Sequence, residues 1–201
     1  MDTDDGVRPE RLVAVVLAAG GGSRFDGETH KLLATLHSRT IVDHAIRSAV
    51  AADIGPVVVI TGAISELSGI DGVRQVRNHD WERGQSTSLQ LAINVADEIG
   101  AEAMVVGLGD QPFIEPEAWR LVARSLAPIA IATYQGRRRN PVRLHRDMWP
   151  LLPQTGDEGA RVVIRLRPDL VEEVPCPGSP ADIDTLEDLQ TWQSKSSTNS
   201  P

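Results

Sequence analysis

The sequence predicts an α/β fold with a mostly parallel sheet, and three observations carry that expectation. Short unbroken apolar runs rich in β-branched residues recur along the chain, amphipathic stretches of helical period separate them, and 41% apolar residues over 201 positions suffice for one hydrophobic core.

Leu12 to Leu17 opens the series as a strand buried on both faces and ends in Ala18-Ala19-Gly20-Gly21-Gly22. Ile41 to Ala52 keeps an apolar stripe at Ile41, Ala45, Ala49 and Ala52, as a helix would. Val57 to Ile60 is a second buried strand stopped by Thr61-Gly62, and Val73 to Val76 a short third one. Ser88 to Ile99 reads as a helix, Ala103 to Val106 as a strand, Pro116 to Leu126 as a helix with proline near its start, and Ile129 to Ala132 as a strand. The turn at Gly136 to Arg139 followed by Pro141 to Leu144 suggests an antiparallel edge that forms part of a lid or acceptor site. Gly159 to Leu166 is expected as a helix, Leu170 to Val174 as the last strand and Leu186 to Trp192 as the last helix. The expected organisation is a flexible N-terminus over 1–10, one domain over 11–193 and a disordered tail over 194–201.

Composition narrows the function. A formal charge of -8 and a pI near 5.1 provide no field for nucleic acid or an anionic membrane, and four Trp, two Phe and one Tyr are too few for base-stacking platforms. The single Cys176 forms no internal disulfide and reads as an incidental loop thiol, which fits a reducing cytoplasm. His30, His37, His44, His79 and His145 are scattered and read mostly as surface residues, and the tryptophans as core or rim packing.

In an open parallel sheet, ligands sit beyond the carboxyl ends of the strands, which directs attention to Gly20–Arg24, Asp110 and the Asp182/Asp184 region. The glycines after the first strand let backbone amides approach a phosphate. Gly27 is followed by Glu28-Thr29, so the Walker loop fails, and the third position of the dinucleotide fingerprint is Phe25, so that motif fails as well. What remains is a glycine loop, then Arg24 and Lys31, two cations suited to a triphosphate or else plain surface charges. Asp110 falls at the ligand-facing sheet edge as a magnesium ligand or a turn residue. Asp182 and Asp184 share one side of an extended segment, where they hold a cation or where Asp184 caps a helix with Glu187 as its partner. Gly84 to Ser88 suits contact with a pyrimidine base and ribose, with Ser86 alternatively a helix cap. Asp157 and Arg161 lie one helical turn apart, and Arg161 grips an acceptor phosphate or forms a surface pair with Asp157.

The run Leu17-Ala18-Ala19-Gly20-x-x-x-Arg24 followed by Lys31 resembles the signature of the nucleotidyltransferases related to molybdenum-cofactor cytidylyltransferases and guanylyltransferases. Gly84-Gln85-Ser86-Thr87-Ser88-Leu89, Gly109-Asp110-Gln111-Pro112, Asn140-Pro141-Val142, Gly156-Asp157-x-Gly159-Ala160-Arg161 and Asp182-Ile183-Asp184-Thr185-x-Glu187-Asp188-Leu189 resemble later blocks of that family in the same order. The likeness spans roughly Val13 to Trp192 and looks closer to the cytidylyltransferase branch. Phe25-Asp26 stands where the family commonly has Met-Gly, and Lys31 comes two places later than usual.

The resemblance implies a Rossmann-like three-layer sandwich of the nucleotide-diphospho-sugar transferase type. It implies Arg24, Lys31 and Asp110 as catalytic residues, and Leu17, Ala18, Ala19, Gly20, Gly21, Gly22, Ser23, Gly84, Gln85, Ser86 and Ser88 as nucleotide-binding. Asn140, Asp157 and Arg161 would bind the acceptor, and Asp110 and Asp184, with Asp182 adjoining, would hold Mg²⁺. The implied reaction transfers CMP from CTP to a phosphorylated acceptor, molybdopterin, for a molybdenum hydroxylase. Two rivals are an NAD(P)-dependent oxidoreductase on a similar sheet and a non-catalytic chaperone of the cofactor.

Overall fold

In the computed structural model, which describes residues 10–27, 29–68 and 70–197, the first apolar run forms β1 (Leu12–Ala18). A short hairpin, β2 (Thr35–Leu36) and β3 (Arg39–Thr40), leads into α1 (Ile41–Ala52), then β4 (Val57–Thr61) and β5 (Val73–Arg77). Next come α2 (Gln85–Glu98), β6 (Ala103–Leu108), α3 (Pro116–Ala123), β7 (Ile129–Tyr134), β8 (Arg137–His145), α4 (Arg161–Leu166), β9 (Val171–Pro175) and α5 (Leu186–Ser197). Local chemistry sets these limits. The hydroxyl of Thr40 accepts from the Asp43 amide to start α1, and Asp53 ends it in the left-handed conformation.

Seven strands form one sheet in the order β5-β4-β1-β6-β8-β7-β9, parallel except that β8 runs against both neighbours. Alternation along β1 fills two cores. Val13, Val15 and Leu17 face the layer of α2 and α4, and Ala14, Val16 and Ala18 face that of α1 and α3. The central strands are buried along both faces, whereas β5 and β9 carry Arg74, Arg77, Glu172 and Glu173, charges that discourage pairing at a sheet edge.

The structure corrects several expectations. β8 lies inside the sheet rather than at its edge, because Val142, Arg143 and Leu144 are all buried. Its Pro141 is accommodated where the β7–β8 register shifts, so no ladder amide is missed there. α3 stops at Ala123, which leaves Leu126 exposed. α5 continues through 194–197, part of the stretch expected to be a disordered tail, while 198–201 lie outside the described residues. Residues 1–9 of the expected flexible N-terminus also lie outside them, but Glu10 is held by Arg143 through both carboxylate oxygens. Among the described residues, no helix is long and apolar enough to cross a membrane.

Candidate functional site

Strand order reverses beside β1: the chain goes to β4 and β5 on one side and to β6 on the other. A crevice opens at such a switch point. The register Leu17↔Leu108 brings the ends of β1 and β6 level, and the Gly109 amide donates to the Leu17 carbonyl at 2.9 Å. The glycine loop and Asp110 therefore emerge side by side. A third segment joins them, because the amide of Ile183 donates to the carbonyl of Asp110 at 3.0 Å. Ile183 is fully buried in a small cluster with Phe25, Leu36 and Leu189, so its neighbours Asp182 and Asp184 turn the other way, as the two-residue period predicts.

Lys31 is the centre of this convergence. Its Nζ lies 2.8 Å from Asp110 Oδ2 and 2.7 Å from Asp184 Oδ1, and Arg24 reaches Asp184 Oδ2 at 2.9 Å. Burial opposes the ammonium charge, but the two carboxylates outweigh it and hold the Lys31 pKa above its ordinary value. The other Asp110 oxygen, Oδ1, is buried with no hydrogen-bond partner. An orphaned carboxylate oxygen beside a second carboxylate is the donor chemistry that a hard divalent cation uses. Asp110 and Asp184 thus fit Mg²⁺.

Asp182, expected to adjoin the two ligands, is held by a neighbouring side chain. Its Oδ1 accepts from the Gln111 amide, and burial above all pushes its pKa up, with Asp110 and Asp184 adding to the effect. Among the described residues, no three His, Cys, Asp or Glu side chains are grouped to hold a metal. Helix capping does not occupy Asp184 either. Asp188, not Glu187, closes that turn: its Oδ2 accepts from the amides of Asp184 and Thr185, and the Thr185 hydroxyl accepts from the Asp188 amide.

Two adjoining cavities border this region, one lined by Asp110 and the other by Asp182. The smaller, about 320 Å³, is lined by Ala19, Gly20, Gly21, Trp81, Gly84 and Ser88, and Asp110 closes one side. The larger, about 820 Å³, has an apolar floor that includes Leu89, Val106 and Ile131, under a rim carrying Asn140, Arg138, Arg139, Arg161 and Arg165. Leu17 and Gln85 border both. A ligand in one cavity therefore lies next to a ligand in the other.

Most expected nucleotide-binding residues do line the smaller cavity, with four exceptions. Ala18 packs in the core under Gly109. Gly22 and Ser23 lie further along the loop. Ser86 is fully buried in the first turn of α2, its amide donating to the Gly156 carbonyl and its hydroxyl oxygen without a hydrogen-bond partner, so it does not cap the helix. Of the expected acceptor-binding residues, Arg161 and Asn140 line the larger cavity, whereas Asp157 borders the smaller one and accepts from the Gln85 amide. The reason is local: Gly156 and Gly159 adopt φ of 92° and 51°, and α4 begins only at Arg161, so helical spacing does not relate Asp157 to Arg161.

Gly84 is the tightest point of the site. Its φ is 106°, and a Cβ there would stand 2.4 Å from the Gly156 carbonyl carbon. Gly84→Ala is expected to lower stability by about 2–3 kcal/mol through strain and forced separation of these loops. Gly20→Ala, with open space around its Cβ, is expected to stay within about 0.5 kcal/mol of the parent. Urea unfolding of the two variants checks the contrast.

Sequence reasoning missed several residues of the site. Trp81 lies against Gly21, Gln111 is buried and holds Asp182, and buried Asn78 donates to the hydroxyls of Thr87 and Ser88. Of these, only Gln111 carried a signal, its place directly after Asp110.

A glycine loop, two cations and paired carboxylates at the switch point of a mostly parallel sheet define an α/β protein of the nucleotidyltransferase class. Residues 14–174 match the model of the MobA-like NTP transferase domain, and the chain belongs to that family. It is similar to the nicotine blue oxidoreductase of Paenarthrobacter nicotinovorans, with 30% identity over 195 residues covering 89% of this chain and 94% of that protein. A solved Rv0371c homologue from Mycobacterium sp. strain JC1 superposes with a TM-score of 0.82 at 27% identity, covering 94% of this chain and 98% of the other. The Rv0371c protein of Mycobacterium tuberculosis H37Rv, solved in complex with manganese, shares the fold at a TM-score of 0.77 and 23% identity, over 92% of this chain and 98% of its own.

Proposed function

We propose that this protein transfers CMP from CTP to the phosphate of a small acceptor, molybdopterin, in the cytoplasm, releasing pyrophosphate and supplying a molybdenum hydroxylase with its cofactor. The observation that carries this reading is Lys31 held between Asp110, which lines the smaller cavity, and Asp184, whose near neighbour Asp182 lines the larger. An oxygen of the acceptor phosphate forms a bond to the α-phosphorus of CTP as the bond to the β-phosphate oxygen breaks. A phosphate monoester has a second pKa near ~6 and is already anionic at neutral pH, so the residues need not remove a proton. Their work is to align two anions and offset their repulsion. The amides of the glycine loop receive the triphosphate, and Lys31 and Arg24 neutralise the departing pyrophosphate. Asp110 and Asp184 would hold Mg²⁺, which when bound would neutralise further charge on the phosphate oxygens. A solved relative of the same fold in complex with manganese supports a divalent cation in this fold. The arginine rim above an apolar floor suits an acceptor with a flat apolar body and a phosphate.

The test measures pyrophosphate release with CTP, GTP or ATP in the presence of magnesium and molybdopterin. CTP is expected to be the preferred donor, and Asp184→Ala to lower turnover by about 10²–10³-fold with the fold retained. Full turnover in that variant overturns the reading.

The name of the 30% identical relative favours a second reading, redox chemistry on an aromatic substrate in the larger cavity. Fluorescence titration with NADH and NADPH discriminates: saturable binding supports it, whereas CTP-dependent pyrophosphate release without nicotinamide binding supports the first.

A further inference from the structure

We propose that His30 is a positioning residue, which holds the glycine loop in register with Lys31 by donating from Nε2 to the carbonyl of Gly20. The Nε2 to oxygen distance is 3.0 Å, and the other ring nitrogen, Nδ1, accepts from the Leu32 amide at 3.2 Å. A ring nitrogen that accepts carries no proton, so the two contacts together select the neutral Nε2–H tautomer. Burial, the largest influence on this imidazole, lowers its pKa and favours the same neutral form. The ring also lies against the loop, since a Cβ on Gly22 would stand 3.5 Å from Nε2 and 3.6 Å from Cε1.

Gly20 stands two residues beyond the end of β1 and His30 directly before Lys31, so this hydrogen bond ties the two ends of the intervening loop. Between them lies Arg24, 75% exposed and paired with Asp184, and directly after them comes Lys31. Closing the ends places the loop amides and Arg24 in a fixed relation to the Lys31 ammonium. The loop runs two residues beyond the pattern it resembles, and a longer loop loses more conformational freedom on ordering, which a tie across its ends offsets. The contact stands on geometry alone; its consequence for catalysis rests on the proposed nucleotidyl transfer.

Two substitutions separate this role from local turn-making. In His30→Gln the amide nitrogen sits as many bonds from Cβ as Nε2 does and keeps the donor to Gly20. In His30→Asn the amide oxygen replaces Nδ1 and keeps the acceptor for Leu32. Trypsin cleavage after Arg24, followed by mass spectrometry on the full chain, reports loop closure without any turnover. His30→Asn and His30→Ala are expected to be cleaved there about five- to tenfold faster than the parent, the scale of one lost hydrogen bond. They are expected to bind CTP correspondingly more weakly by calorimetry, with His30→Gln near the parent in both. Rescue by Asn and not by Gln, or cleavage unchanged in all three, overturns the proposal. The expected cleavage order in a protein that binds no CTP leaves the tie standing and removes the proposed function.

Discussion

Lys31→Met is expected to lower CTP-dependent pyrophosphate release by about 10²–10³-fold, the usual effect of removing one group that stabilises charge developing in a transition state. Methionine keeps most of the apolar stem of a side chain only 11% exposed, so packing is nearly conserved and the charge is what changes. Two carboxylates are then left facing each other, and Asp110 loses the partner of its bonded oxygen while its Oδ1 is already orphaned. The free protein is therefore expected to lose about 1–3 kcal/mol of stability. A divalent cation that binds the folded state stabilises by mass action, and does so more strongly where no ammonium competes for the same oxygens. Adding magnesium should accordingly raise the melting temperature of Lys31→Met more than that of the parent. Melting curves with and without magnesium, beside the pyrophosphate assay, check both halves. Equal magnesium responses would remove Asp110 and Asp184 as the cation's ligands.

What was legible in the sequence was whatever depends on period and sequence order. The β-branched runs at Leu12 and Val57 are buried on both faces, and a run of that kind has one stable place, the middle of a covered sheet. Asp110 was legible after an apolar run, Lys31 as a cation beyond the glycine loop and Asp184 as one of a carboxylate pair, and the fold brings them to one point. Properties set by tertiary neighbours were hidden. His30 carries no local mark that its ring meets Gly20, because the loop must fold back first. Asp157 and Arg161 are not one helical turn apart because positive φ at Gly156 and Gly159 overrides helical spacing. The position of β8 inside the sheet buries Arg143, whose ion-pair partner Glu10 lies 133 positions away in the chain.

That ion pair supports the second large effect: Glu10→Ala is expected to destabilise the protein by about 2–4 kcal/mol, slightly below the usual range for unpairing a buried charge because Glu10 itself is 26% exposed. Arg143 stands between Val105 and Ala130, its side chain 2% exposed, with one guanidinium nitrogen on the Ala127 carbonyl and another on both oxygens of Glu10. Its Nε is buried without a partner, so the group has no spare interaction to fall back on. Removing the carboxylate leaves a cation inside the sheet, and for a chain of this size the melting temperature should fall by about 5–15 °C. Replacing the arginine as well tests the cause. If the loss comes from an unpaired charge rather than from lost packing at Glu10, Glu10→Ala with Arg143→Met should be more stable than Glu10→Ala alone, since an apolar side chain of similar volume suits that position. Arg143 lies toward the end of β8 that meets the start of β6, opposite the carboxyl end of β6 where Asp110 emerges, so kcat at 25 °C should change little in either variant. A double variant as unstable as the single one would show that Glu10 acts by anchoring the chain ahead of β1, not by neutralising Arg143.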